Sequence, residues 1–120
     1  MMSAEITSNT GGILTVKITG KLTYADLLDS QKQMVDIASQ QGHIRILVIA
    51  DHFEGWDKSS NWADDSFQVK SDSFIEKMAI IGDKKWEELV LMFTCQGFRP
   101  FPIEYFQADE LTKAKTWLTL

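Results

Sequence analysis

Cysteine and proline are nearly missing from this 120-residue chain, and so is any long apolar run. The single cysteine, Cys95, cannot close an internal disulfide, which fits a reducing cytoplasm and leaves the core to hold the fold. The two prolines, Pro100 and Pro102, punctuate one loop and break no other segment. The longest apolar stretches, Ile46–Ala50 and Leu89–Phe93, hold five residues each, against the ~20 that a membrane span requires. No apolar stretch follows a basic start, so no secretory signal is expected. Positive charge is also scarce: 12 Lys and Arg face 17 Asp and Glu, for a net charge of −5. With no basic block, nucleic acid is not expected as the main partner. What remains is an ordinary globular composition, 44% hydrophobic and 24% charged, at a length that predicts one domain over residues 1–120.

Periodicity supplies the elements. Glu5–Ser8 reads as a short strand, followed by the turn signal Asn9-Thr10-Gly11-Gly12. Ile13–Thr19 then alternates, with Leu14, Val16 and Ile18 on one side, as the second strand of an N-terminal hairpin. Thr23 with Asp26 resembles a capping box in which Asp replaces the usual Glu. Tyr24, Leu27, Leu28, Met34, Val35 and Ala38 repeat at helical spacing as far as the stop at Gly42. His43–Ala50 and Met78–Ile81 are near-continuous apolar runs, the pattern of strands buried on both faces. Asp83 can cap a helix with Trp86, Leu89, Val90 and Phe93 on one face. Ile103–Phe106 predicts another strand, and Asp109 opens a last helix with Leu111, Ala114, Trp117 and Leu118 inward. Strands alternating with helices after a hairpin predict an α/β fold. Its mixed, mostly parallel sheet of about five strands would be flanked by about four helices, with right-handed crossovers.

One connection breaks this rhythm. Asp51–Ser73 carries six acids against two lysines and, with the adjoining Phe74, five of the thirteen aromatic residues. Part of it, from about Ser60 to Val69, reads as a helix with Trp62, Ala63 and Phe67 inward. Solvated acids above a helix that covers the sheet are one account. A lid or docking surface at the carboxyl ends of the strands, where open α/β sheets place ligands, is the other.

Motifs for chemistry are scarce. His43, His52 and Cys95 share no ligand spacing, so no metal is expected. There is no Gly-x-Ser-x-Gly elbow and no glycine-rich phosphate loop, so no catalytic residues and no cofactor are expected. Asp51, Glu54 and Asp57 lack a nucleophile, metal or cofactor motif to work with. Gly82-Asp83-Lys84-Lys85-Trp86 puts two ammonium groups at a helix start, which reads either as an anion site or as a cap with solvated lysines. If that turn neighbours Phe53–Trp56, an aromatic-walled pocket with lysines at its mouth results.

Several of these segments resemble the bacterial SpoIIAA-like proteins. The similar stretches are Gly20-Lys21-Leu22-Thr23, Phe53-Glu54-Gly55-Trp56, Ile80-Ile81-Gly82-Asp83-Lys84-Lys85-Trp86, and Tyr105-Phe106 with Asp109-Glu110-Leu111. The resemblance implies a STAS-type domain, similar to anti-sigma-factor antagonists and related in shape to the Sec14 lipid-binding fold, but little about chemistry. Those antagonists carry a phosphorylatable serine in an Asp-Ser-Ser-Gly-like motif where this chain has Asp51-His52-Phe53-Glu54-Gly55-Trp56. The phosphoswitch is therefore not expected here.

Two functional expectations follow. The first is a non-enzymatic binding module that meets a protein partner, or a second copy of itself, through Asp51, Phe53, Glu54, Gly55, Trp56, Trp62, Asp83, Lys84, Lys85 and Trp86. The second is a carrier of a small hydrophobic or lipid-like anionic ligand in a pocket of at least ~300 Å³ walled by Phe53, Trp56, Trp62, Phe67 and Trp86, with Lys84 and Lys85 near the anionic group. Exposure of Trp56 and Trp62 would favour the first, and a solidly packed interior would exclude the second.

Overall fold

The computed structural model describes residues 3–57, 72–94, 97 and 99–120. β1 (Ala4–Thr10) and β2 (Ile13–Leu22) form the opening hairpin through the Gly11-Gly12 turn. Helix α1 (Tyr24–Gln41) crosses to β3 (Ile44–Trp56), after which β4 (Ile75–Gly82) enters the sheet. A single 3₁₀ turn, Lys84–Trp86, runs into α2 (Glu87–Phe93), which precedes β5 (Ile103–Gln107). A second 3₁₀ turn, Ala108–Glu110, opens α3 (Leu111–Leu118).

The five strands lie in the order β1-β2-β3-β4-β5. Only the β1–β2 pair is antiparallel; the other three pairs are parallel. Strands that stay parallel need covered faces, and both are covered here. On one face Met34 and Ala38 of α1 and Val90 of α2 pack on Leu14, Val16, Ile46, Met78 and Ile80. On the other, Ala114 and Leu118 of α3 pack on Leu47, Ala79 and Ile81. The continuous apolar runs of β3 and β4 thus supply both layers of core, as their composition predicts.

Four expectations need correction. The described residues contain three helices rather than about four; the helix expected from about Ser60 to Val69, with Trp62, lies outside them. Asp51–Trp56 is not the start of a connection but the end of β3, paired with Gly20, Lys21 and Leu22. Leu89 on α2 is 50% exposed and Leu111 on α3 is 38% exposed, so neither faces inward. The last helix is opened by Gln107 rather than Asp109: its side chain and that of Glu110 form a capping box across the second 3₁₀ turn. A hydrogen bond from the Gln107 backbone N–H, with Lys113 nearby, holds the Glu110 carboxyl below its usual range.

The start of α1 explains why Asp26 serves where Glu is usual. Thr23 Oγ1 accepts from the Asp26 N–H at 3.2 Å, the ordinary half of a capping box. Aspartate is one methylene too short to reach back to the Thr23 N–H, and the Ser3 hydroxyl closes the gap. It accepts from Thr23 N at 3.1 Å and donates to Asp26 Oδ2 at 2.7 Å, while Ser3 N donates to the same oxygen at 2.8 Å. The cap therefore also fastens Ser3, the residue before β1, to the helix.

These bonds from Ser3, with Thr23 adding to them, hold the Asp26 carboxyl below its ordinary 3.8. A carboxylate depressed in the folded state contributes stability above the unfolded pKa and loses it as pH falls through the folded one. Asp26→Asn is thus expected to cost about 1 kcal/mol at neutral pH. In urea titrations the gap to the parent should close below about pH 4. A gap that is constant down to acid pH would refute this role.

Candidate functional site

The site is built by irregularity in β3. From Ile18/Ala50 to Gly20/Phe53 the pairing gains one residue on β3, and from Gly20 to Lys21/Gly55 it gains a second. Each extra residue reverses which way the following side chains point. Ala50 lines the face under α1 and α2, so an unbroken strand would send His52 inward and Phe53 outward. Instead Phe53 and, after the second bulge, Trp56 both reach the cavity on that face. The His52 side chain stays 89% exposed.

The backbone at the bulges is left-handed at His52 (φ 56°) and at Gly55 (φ 102°). For histidine that conformation costs ~1–2 kcal/mol. Gly55 meets it without that cost and also lets the Trp86 ring lie close. A Cβ there would touch the ring edge at 3.4 Å.

Phe53, Trp56 and Trp86 consequently meet as one cluster. Phe53 lies edge-on to Trp56 at 5.1 Å and to Trp86 at 4.9 Å, and the two indoles are 6.1 Å apart. Phe93 of α2 extends the cluster, 5.1 Å from Trp56. The two segments singled out in the sequence, Asp51–Trp56 and Gly82–Trp86, are thus neighbours at the carboxyl ends of β3 and β4. Trp56 is half-buried rather than displayed, and its Nε1 is fully buried with no hydrogen-bond partner.

Charge rims this aromatic floor. Asp51 Oδ1 lies 2.9 Å from His52 Nδ1, and its Oδ2 lies 3.7 Å from Lys17 Nζ. Glu54, Asp83, Lys84 and Lys85 are exposed. Lys85 Nζ sits 5.9 Å over the Trp86 ring. The anion-site reading of this turn fails on geometry. Asp83 Oδ1 accepts from Lys85 N at 3.0 Å and its carbonyl accepts from Trp86 N at 3.0 Å, so a carboxylate already holds the place an anion would take. Among the described residues, no three His, Cys, Asp or Glu side chains gather into a metal-binding group.

Two features of the edge were not singled out from the sequence. Tyr105 on β5 reaches across Gly82 and donates its hydroxyl to the Asp83 carbonyl at 2.7 Å. Burial first, then the charges of Asp83 and Glu87, pushes its phenol up to about 12. Arg99, before β5, forms a two-pronged ion pair with Asp72: Nε to Oδ2 at 2.7 Å and Nη2 to Oδ1 at 2.6 Å. Its Nη1 donates to the Thr94 carbonyl at 2.9 Å, and its guanidinium stacks on Phe101 at 4.8 Å. The only sequence signal for that pair was an arginine beside prolines, which does not name its partner.

Behind the floor lies an apolar, partly enclosed cavity of about 100 Å³ between the sheet and helices α1 and α2. Val48, Met34, Ile46, Phe53, Trp56 and Arg99 are among its walls; Lys84, Lys85 and Trp86 are not. The pocket with lysines at its mouth is therefore not what the fold builds.

This geometry can be set beside known proteins. The SpoIIAA-like family model matches residues 13–119. The chain belongs to the SpoIIAA-like family. A solved structure of an uncharacterised protein with a SpoIIAA-like fold, from Shewanella loihica PV-4, superposes with a TM-score of 0.66 at 22% identity, covering 96% of this chain and 91% of that one. At that identity the likeness bears on the fold alone. No curated protein matches. No helix among the described residues is long and apolar enough to cross a membrane.

Proposed function

We propose that this SpoIIAA-like domain is a non-enzymatic binding module of regulatory type, acting in the cytoplasm by engaging a protein partner at the bulged edge. One observation carries the reading. Two extra residues in β3 turn Phe53 and Trp56 inward against Trp86, and the charges of Glu54, Asp83, Lys84 and Lys85, with the imidazole of His52, stand exposed as a rim on this aromatic base. Rigid support for exposed charges favours recognition by complementary charge, which governs specificity and encounter rate. The strain at His52 is sustained where the edge is shaped for display.

The carrier reading has less support in its lipid form. A cavity of about 100 Å³ is smaller than the ~300 Å³ at which ligand pockets begin, and the two lysines are outside it. The partner reading is tested by quantitative affinity capture from the native host, comparing the parent with Lys84→Glu/Lys85→Glu and with Glu54→Lys. A protein recovered stoichiometrically by the parent should fall about tenfold in at least one variant, with unchanged melting temperature. Equal recovery by all three would remove the rim from the interface.

A further inference from the structure

We draw no further inference here: the strongest candidate, the exposed apolar face of α2 formed by Leu89 and Met92, carries nothing, because nothing in the structure shows what covers it.

Discussion

Asp72→Ala is expected to cost about 3–5 kcal/mol of unfolding free energy. The pair it breaks is nearly closed off from solvent, with side chains 9% exposed at Arg99 and 12% at Asp72. Surface ion pairs contribute less than ~1 kcal/mol, so burial decides the size of this effect. Removing the carboxylate leaves a guanidinium with two N–H donors unpaired in a site that water reaches poorly, and that desolvation penalty is the main loss. Arg99 lies in the cavity wall, so the pair also fixes one end of the cavity, joining the residue three before β4 to the loop before β5.

The double variant Asp72→Ala/Arg99→Met separates pairing from packing. Methionine keeps contact with Phe101 and the cavity wall but carries no charge. The double variant should therefore be more stable than Asp72→Ala alone, and the cycle should give a coupling energy above about 1 kcal/mol. Denaturant unfolding of the four proteins measures it. A loss below ~1 kcal/mol for Asp72→Ala would mean that the two side chains behave as a surface pair.

Gly82→Ala is expected to cost about 2–4 kcal/mol, although Gly82 has an ordinary negative φ and needs no special backbone freedom. The reason is space. A Cβ at Gly82 would fall on the Tyr105 hydroxyl and lie 3.4 Å from the Ala50 Cβ, so Tyr105 has to leave its bond to the Asp83 carbonyl. In a Tyr105→Phe background the same change should cost markedly less, because the colliding oxygen is gone.

A second readout follows from the phenol. Burial holds Tyr105 neutral up to about 12, above the ordinary 10. The resulting stabilisation is complete below pH 10 and is lost as pH rises through 12. In Gly82→Ala the displaced phenol should titrate closer to 10 and the alkaline loss of stability should shrink. Ultraviolet titration against Tyr24 as the internal reference measures this. An unchanged Tyr105 titration would show that the edge absorbs the methyl elsewhere.

How far the sequence reached differs element by element. The alternation of Ile13–Thr19 and the apolar runs at Ile46–Ala50 and Met78–Ile81 determined a hairpin feeding a parallel sheet, because side-chain period and burial on both faces are local consequences of residue type. The capping role of Thr23 was legible for the same reason, but the Ser3 hydroxyl that completes it was not, being 20 residues away along the chain. Asp83 read as a cap and is one, and that role closes the anion site the lysines suggested.

The edge itself was decided only in three dimensions. No local rule places two extra residues in β3 between Ala50 and Trp56, because a bulge is defined against the partner strand and not within its own. Without that register change Phe53 would point away from α1, and the aromatic cluster with Trp86 would not form. The Arg99–Asp72 pair and the contact of Tyr105 with Gly82 have the same character, joining residues 27 and 23 positions apart whose types alone name no partner. Sequence determined the layers of this protein, since hydrophobic period acts within one element; tertiary packing decided its edge and cavity, since both exist only between elements.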